Sequence, residues 1–356
     1  YGVSRRTLAL AVGGVLLALL VLAAALRPVP YVAMRPGPVE NTLGTLRGQQ
    51  IVAISGRRVF PTEGQLDLTT VSVTSPQGRI SLGEALLAWL DPDRVVLPRD
   101  VVYPPQQSAR EAEQRSSIEM VTSQDAAAVA ALSELGIEVG FDVRVHSVIE
   151  DAPAQGHLKA RDVVLAVEGQ RVDEAADVAE LLQEVPPGDS AQLLVRRDGR
   201  RQVITTPTAE SPDEPGRTIV GITVADQPRL PFEVSIELGD RIGGPSAGLM
   251  FALAIVDKLT PGALTGGLHI AGTGEIDVDG RVGPIGGIQQ KIAGAADAGA
   301  TVFLVPQANC AEAVLAPDSD RLRLVPVADL GDAVAALKTL NDPGPAPAGA
   351  VPSCRT

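Results

Sequence analysis

The hydrophobic pattern changes character four times along the chain. Leu8 to Leu26 is uncharged and apolar. At 1.5 Å per helical residue this run spans roughly 28 Å, close to a bilayer core, so a transmembrane helix is predicted over 8–26, after residues 1–7. From Tyr31 to about Val121 the pattern reads as strands and turns, with Gln65–Thr74 the clearest apolar/polar alternation. Helical spacing appears in "SLGEALLAWL" and in "SQDAAAVAALSELG", which ends on Gly136, where a C-cap is expected. The middle of the chain gives strand, loop, strand and turn over Phe141–Val172. A helix follows, with Val178, Leu181, Leu182 and Val185 on one face, and then two strands about an Asp198-Gly199 hairpin. "PTAESPDEP" (Pro207–Pro215) is a linker by composition. Beyond it, "RTIVGITVAD" and "FEVSIELG" read as strands leading to a Gly243-Gly244-Pro245 bend, and a helix is expected from Ala247 onward. A hairpin around Asp279-Gly280, a helix from about Ile288 and a buried strand "TVFLVP" follow.

The charge pattern orients this outline. Arg5 and Arg6 precede the apolar run, which puts the N-terminus in the cytoplasm and the bulk of the chain outside. A cleaved signal peptide is the alternative, with Ala23 and Ala25 forming an A-x-A site. A net charge of −13, scattered basic residues and 3% aromatic content argue against nucleic acid as a partner. His146, His157 and His269 are far apart and lack carboxylates at helical spacing, so neither a metal nor another cofactor is expected. Cys310 and Cys354 have no ligand spacing. An unpaired, buried Cys310 is the expectation and a Cys310–Cys354 disulfide the alternative, with residues 341–356 a disordered Pro/Ala-rich tail.

The candidate chemistry lies in the last third. Ser246 falls at or beside a helix N-terminus, where unpaired N–H groups point outward. A helix cap explains any such serine, but a second segment offers it a partner. The chain has only four lysines, Lys159, Lys258, Lys291 and Lys338, and Lys291 sits in the first turn of a helix between glycines and alanines. The helix dipole and burial both disfavour its charge there, and a neutral amine is a general base. Serine and neutral lysine make a hydrolytic pair, with the Gly244-Pro245-Ser246-Ala247 turn as the oxyanion region.

Two resemblances extend this reading. "LGIEV", "APAQGHLKARDVVLAVEGQRV" and the following helix resemble a bacterial PDZ domain, although Arg161 stands where such domains have glycine. The resemblance implies a groove that takes an extended peptide by strand addition, with Leu135, Gly136, Ile137, Val178 and Leu182 as its residues. "GGPSAGL", "TGEIDVDGRVGPIGGIQQK" and "AADAGATVFLVPQAN" resemble the proteolytic domain of the Lon family. This likeness implies Ser246 as nucleophile, Lys291 as general base and Thr273 as the hydroxyl that orients the amine. Many Lon enzymes carry an acidic residue where this chain has Gly243, which leaves Asp240 a weak candidate for a third member. No G-x-x-x-x-G-K-[ST] loop occurs.

The expected architecture is therefore α+β: a β-rich segment at 27–134 belonging to the protease unit, a PDZ-like domain at 135–208, a linker and leading strand at 209–223, and a Lon-type proteolytic domain at 224–340. The expected function is that of a membrane-anchored, ATP-independent serine endopeptidase. It would cleave flexible extracytoplasmic proteins captured partly through the PDZ groove. The Lon resemblance also implies a homo-oligomer, such as a hexameric ring. A membrane-tethered PDZ adaptor with an inactive protease-like domain is the alternative.

Overall fold

The computed structural model describes residues 5–104, 108–212, 214–239, 242–342 and 351–354. Its backbone divides into two units, residues 1–137 with 232–356, and residues 138–231. Helix α1 (Arg5–Ala25) leads into strands β1 (Tyr31–Asn41), β2 (Val52–Ser55) and β3 (Gln65–Val73), then α2 (Leu82–Leu90), β4 (Val95–Pro98) and α3 (Ala109–Glu134). The second unit holds β5 (Gly140–Val148), β6 (Val163–Val167), α4 (Ala175–Leu182), β7 (Ser190–Arg197), β8 (Arg200–Pro207) and β9 (Ile222–Arg229). The first unit resumes with β10 (Glu233–Ile236), α5 (Gly248–Leu259), β11 (His269–Gly272), α6 (Ile288–Ala298), β12 (Val302–Pro306), β13 (Arg323–Val327) and α7 (Leu330–Asn341). The fold is α+β. Within α1, Leu8–Ala25 is long and apolar enough to cross a membrane, a test that a signal sequence also passes.

The main sheet of the first unit has the order β13-β12-β11-β3-β1-β4. Its strands β3, β11, β12 and β13 are parallel, and β1 pairs antiparallel with β3 and β4. Alternation in β3 suggested one solvated face, yet Leu66, Asp67, Leu68 and Thr69 are all buried. Helices α5 and α6 both pack on this strand, and a parallel strand covered on both faces has no wet side. Each of the polar pair has a partner inside, although Asp67 Oδ1 is buried without one: Asp67 Oδ2 lies 2.6 Å from His269 Nε2, and the Thr69 hydroxyl donates to Gly272 O at 3.1 Å. Helix α5 is buried from Gly248 through Lys258, so it is a central helix rather than an amphipathic surface one.

Three expectations fail here for identifiable reasons. The segment expected to stay strand and turn up to Val121 becomes helical at Ala109, because Ser108 and Glu111 form a reciprocal capping box. The first turns of α3 are polar and largely exposed, so they carry no apolar stripe to announce a helix. Cys310 is not unpaired: it is bonded to Cys354, with Cα atoms 5.3 Å apart. The described end of the tail is accordingly held in place. Val351 is buried, and Cys354 N–H donates to Leu324 O at 3.0 Å.

The third concerns the boundary of the second unit. Its antiparallel sheet runs β8-β7-β6-β5-β9, over a core that includes Val143, Val164, Val178, Leu182 and Leu193. Strand β9, expected to lead into the protease unit, instead pairs with β5 from Ile222↔Val148 to Arg229↔Gly140. The expected linker also folds back, pairing Ala209–Glu210 with Thr218–Ile219. Alternation marks a strand but not the sheet that receives it. Arg161 adopts φ +75°, the left-handed conformation that costs a non-glycine residue about 1–2 kcal/mol. The neighbouring Asp162 carboxylate is nearly inaccessible and satisfied by Arg197 Nε at 2.7 Å and Lys159 N at 2.8 Å.

Candidate active site

The bend before α5 is fixed by α3. Gly244 has φ +85° and donates its N–H to Ser116 O at 3.0 Å, while Ser123 Oγ donates to Pro245 O at 2.8 Å. A side chain at Gly243 would collide with Ser116 Oγ, which gives a physical reason for glycine at this position. Ser246 follows the bend, half-buried, with Ala247 as the N-cap of α5.

Lys291 reaches the same point from the first turn of α6. That helix is entered through Gly287 in the left-handed conformation, where an added Cβ would press on Val71. Lys291 Nζ lies 2.8 Å from Ser246 Oγ and 2.8 Å from Thr273 Oγ1. Thr273 follows β11, is fully buried, and donates its hydroxyl proton to Ser246 O at 2.9 Å. That donation uses its single proton, so toward the lysine Thr273 can only accept. One amine N–H is thereby aimed at Thr273, leaving the lone pair of a neutral amine free for the Ser246 hydroxyl proton. Lys291 is 3% exposed. Burial lowers its pKa from 10.5 to about 8, while the Glu275 carboxylate pulls in the opposite direction.

A cavity of about 870 Å³ opens over Ser246 and Lys291, lined also by Arg35, Val71, Leu238 and Gly244. Strand β3 pairs with β11 only from Gln65 to Leu68, so its Thr70–Val73 edge opposite β1 is unpaired by β11 where it lines this cavity. Among the described residues, the Ser246 and Ala247 N–H groups have no protein acceptor. Ser246, Thr273, Lys291, Gly244, Pro245 and Ala247 therefore come together. Asp240 lies outside the described residues. No group of three or more His, Cys, Asp and Glu able to hold a metal occurs among the described residues.

The expected PDZ groove residues are dispersed. Leu135 caps α3, and Gly136 and Ile137 donate back to Ser133 O and Leu132 O at 2.9 Å, so all three close a helix in the first unit. Val178 and Leu182 face the second unit's core, at 2% and 4% exposure. The sheet has β8 at one edge and β9 at the other; among the described residues β9 pairs only with β5, and it is the edge strand beside α4. Helix α4 is tied beside it at both ends: Ala175 N–H donates to Asp226 Oδ1 at 2.8 Å, and Gln183 exchanges two hydrogen bonds with the Thr218 backbone. Val220–Ile222, which leads into β9, has the same apolar-Gly-apolar pattern as "LGI" at Leu135–Ile137.

Known proteins share these parts. Residues 241–339 match the Lon protease (S16) C-terminal proteolytic domain, and residues 115–208 match the PDZ domain. The Lon protease of Rhizobium meliloti (strain 1021) is 38% identical over 103 residues, which are 28% of this chain and 12% of that protein. A probable periplasmic serine endoprotease, DegP-like, from Pseudomonas savastanoi pv. phaseolicola is 28% identical over 131 residues, 32% of this chain and 27% of that protein. The solved PDZ domain of an SdrC-like protein from Listeria monocytogenes, at 20% identity and a TM-score of 0.22, covers 23% of this chain and 86% of its own. The chain thus spans only a minor part of the curated relatives it matches. Sequence matches and fold together identify a mixed α+β chain that carries a PDZ domain and a Lon-type proteolytic domain behind an apolar N-terminal helix.

Proposed function

We propose that this chain is a membrane-anchored serine endopeptidase working through a Ser246–Lys291 dyad. The observation that carries the reading is the buried Lys291 amine, with a lowered pKa, 2.8 Å from both Ser246 Oγ and Thr273 Oγ1. Neutral Lys291 removes the hydroxyl proton as Ser246 Oγ attacks the peptide carbonyl. The Ser246 and Ala247 N–H groups receive the oxyanion, and the lysine ammonium returns the proton to the departing amine. Water then enters, and the regenerated amine deprotonates it as it attacks the acyl-enzyme. An extended substrate adds to the open edge of β3, and peptide capture elsewhere uses the outer edge of β9 beside α4.

Every group in this scheme comes from the chain itself, so the chemistry asks for neither nucleotide nor metal. With Arg5 and Arg6 cytoplasmic, both units face outward, where ATP is absent, and substrates are flexible or already cleaved chains. The test is casein hydrolysis by the full chain in detergent, without ATP and with a chelator. Wild type cleaves under both conditions, while Ser246→Ala and Lys291→Arg both lose turnover, since arginine keeps the charge but cannot accept a proton. Strict ATP dependence, or substantial proteolysis by Lys291→Arg, removes this mechanism.

A further inference from the structure

Helix α2 shows solvent a face that belongs in an apolar environment. Leu87 is 69% exposed, Trp89 76% and Leu90 77%, and Leu86 beside them is half exposed. At 100° per residue these four side chains cover an arc of ~160°. Ala85 and Ala88 lie on the opposite side and are buried, and Glu84 stands outside the apolar arc. A water-facing helix in a monomeric protein would carry the reverse pattern.

What surrounds α2 indicates what covers that face. Pro28–Val29, just past α1, pairs with Ile80–Ser81, just before α2. Leu82 N–H donates to Arg27 O at 2.8 Å. Gly83 lies inside the apolar arc and abuts the last turn of α1, so that a Cβ there would come within 3.3 Å of Ala25 O and 3.4 Å of Ala25 Cβ. The exposed apolar face of α2 is therefore continuous with the C-terminal end of the helix that spans the membrane in the reading above, on which this inference rests. Tryptophan at the end of a short apolar helix suits the headgroup boundary, where its ring is buried and its N–H stays wet.

We propose that α2 is an interfacial helix that seats Leu86, Leu87, Trp89 and Leu90 in the bilayer leaflet on the protease side, beside the exit of α1. The partner is a lipid surface. The chain's charge of −13 and the absence of a basic residue from α2 make the contact apolar rather than electrostatic, so zwitterionic lipid suffices.

Trp89 is the only tryptophan, so its emission reports on α2 alone. The experiment reconstitutes the full chain in phosphatidylcholine vesicles brominated either near the headgroup end or near the tip of the acyl chains, and measures flotation alongside fluorescence. The expected result is loss of most Trp89 emission with the shallow bromines, a smaller loss with the deep ones, and weak quenching by aqueous acrylamide. A Leu87→Glu/Leu90→Glu variant should still float through α1 while regaining emission and acrylamide access. Unquenched, acrylamide-accessible Trp89 in a chain that floats overturns the proposal and leaves the anchor standing. Shielding from both quenchers also overturns it and assigns the face to a second copy. Failure to float removes the anchor reading, and this inference with it.

Discussion

Replacing Lys291 with methionine should abolish turnover and make the protein more stable at neutral pH. Burial takes the lysine from 10.5 to about 8, and at ~1.36 kcal/mol per pH unit the difference corresponds to roughly 3 kcal/mol. The sign follows from proton counting. Between about pH 8 and 10.5 the unfolded lysine still holds a proton that the folded one has released, so stability rises with pH through that window. Below about pH 8 the folded state carries the full cost of a buried ammonium. Methionine fills a similar volume without charge, and the lost hydrogen bonds to Ser246 and Thr273 offset about 1 kcal/mol of the relief. The net gain at pH 7 is then about 2 kcal/mol, or ~4–8 °C in Tm for a unit of this size. Thermal and urea unfolding of the full chain in detergent, wild type against variant, at pH 7 and above pH 10, measures it. The gain should disappear at the higher pH and give way to a small loss, about 1 kcal/mol, because only the lost hydrogen bonds remain. A methionine variant less stable than wild type at pH 7, or a gain equal at both pH values, would refute the claim that burial of the amine costs stability.

Two further outcomes test the surroundings of the dyad. Wild-type kcat/KM should rise with pH through a midpoint near 8 and level off about a unit higher, as the free enzyme's lysine loses its proton; Glu275→Gln removes the carboxylate that favours the ammonium, so its pH–rate profile should move to lower pH, and an unmoved midpoint removes Glu275 from the electrostatics. Gly243→Asp forces Ser116 away from the nucleophile bend at about 1 kcal/mol of overpacking, which should reduce peptide turnover several-fold; the Ser116→Gly background should restore it, and an unrestored double variant points to the new charge instead of the collision.

What the sequence determined by itself was whatever depends on neighbours along the chain. A glycine-proline bend before an apolar run placed Ser246 at the head of α5. A lone lysine among small residues stood out at Lys291, and a hydroxyl in "TGE" marked Thr273 through the Lon-type motif. Val178 and Leu182 fell on one helical face by spacing alone, although the face is core and not groove. Tertiary structure decided what depends on residues distant in sequence. The sheet that receives β9 is chosen by its eight-residue register with β5, and alternation is the same for any partner. Cys354 finds Cys310 across 44 residues because the tail returns to the edge of β13. The proximity of Ser246, Thr273 and Lys291 is likewise a product of packing: α3 pins the bend through Ser116 and Ser123, β11 delivers Thr273, and α6 turns its first coil inward. Local pattern sets the conformation of each segment, because backbone sterics and helix caps act over a few residues. Which segments meet is settled only when the whole apolar surface is buried at once.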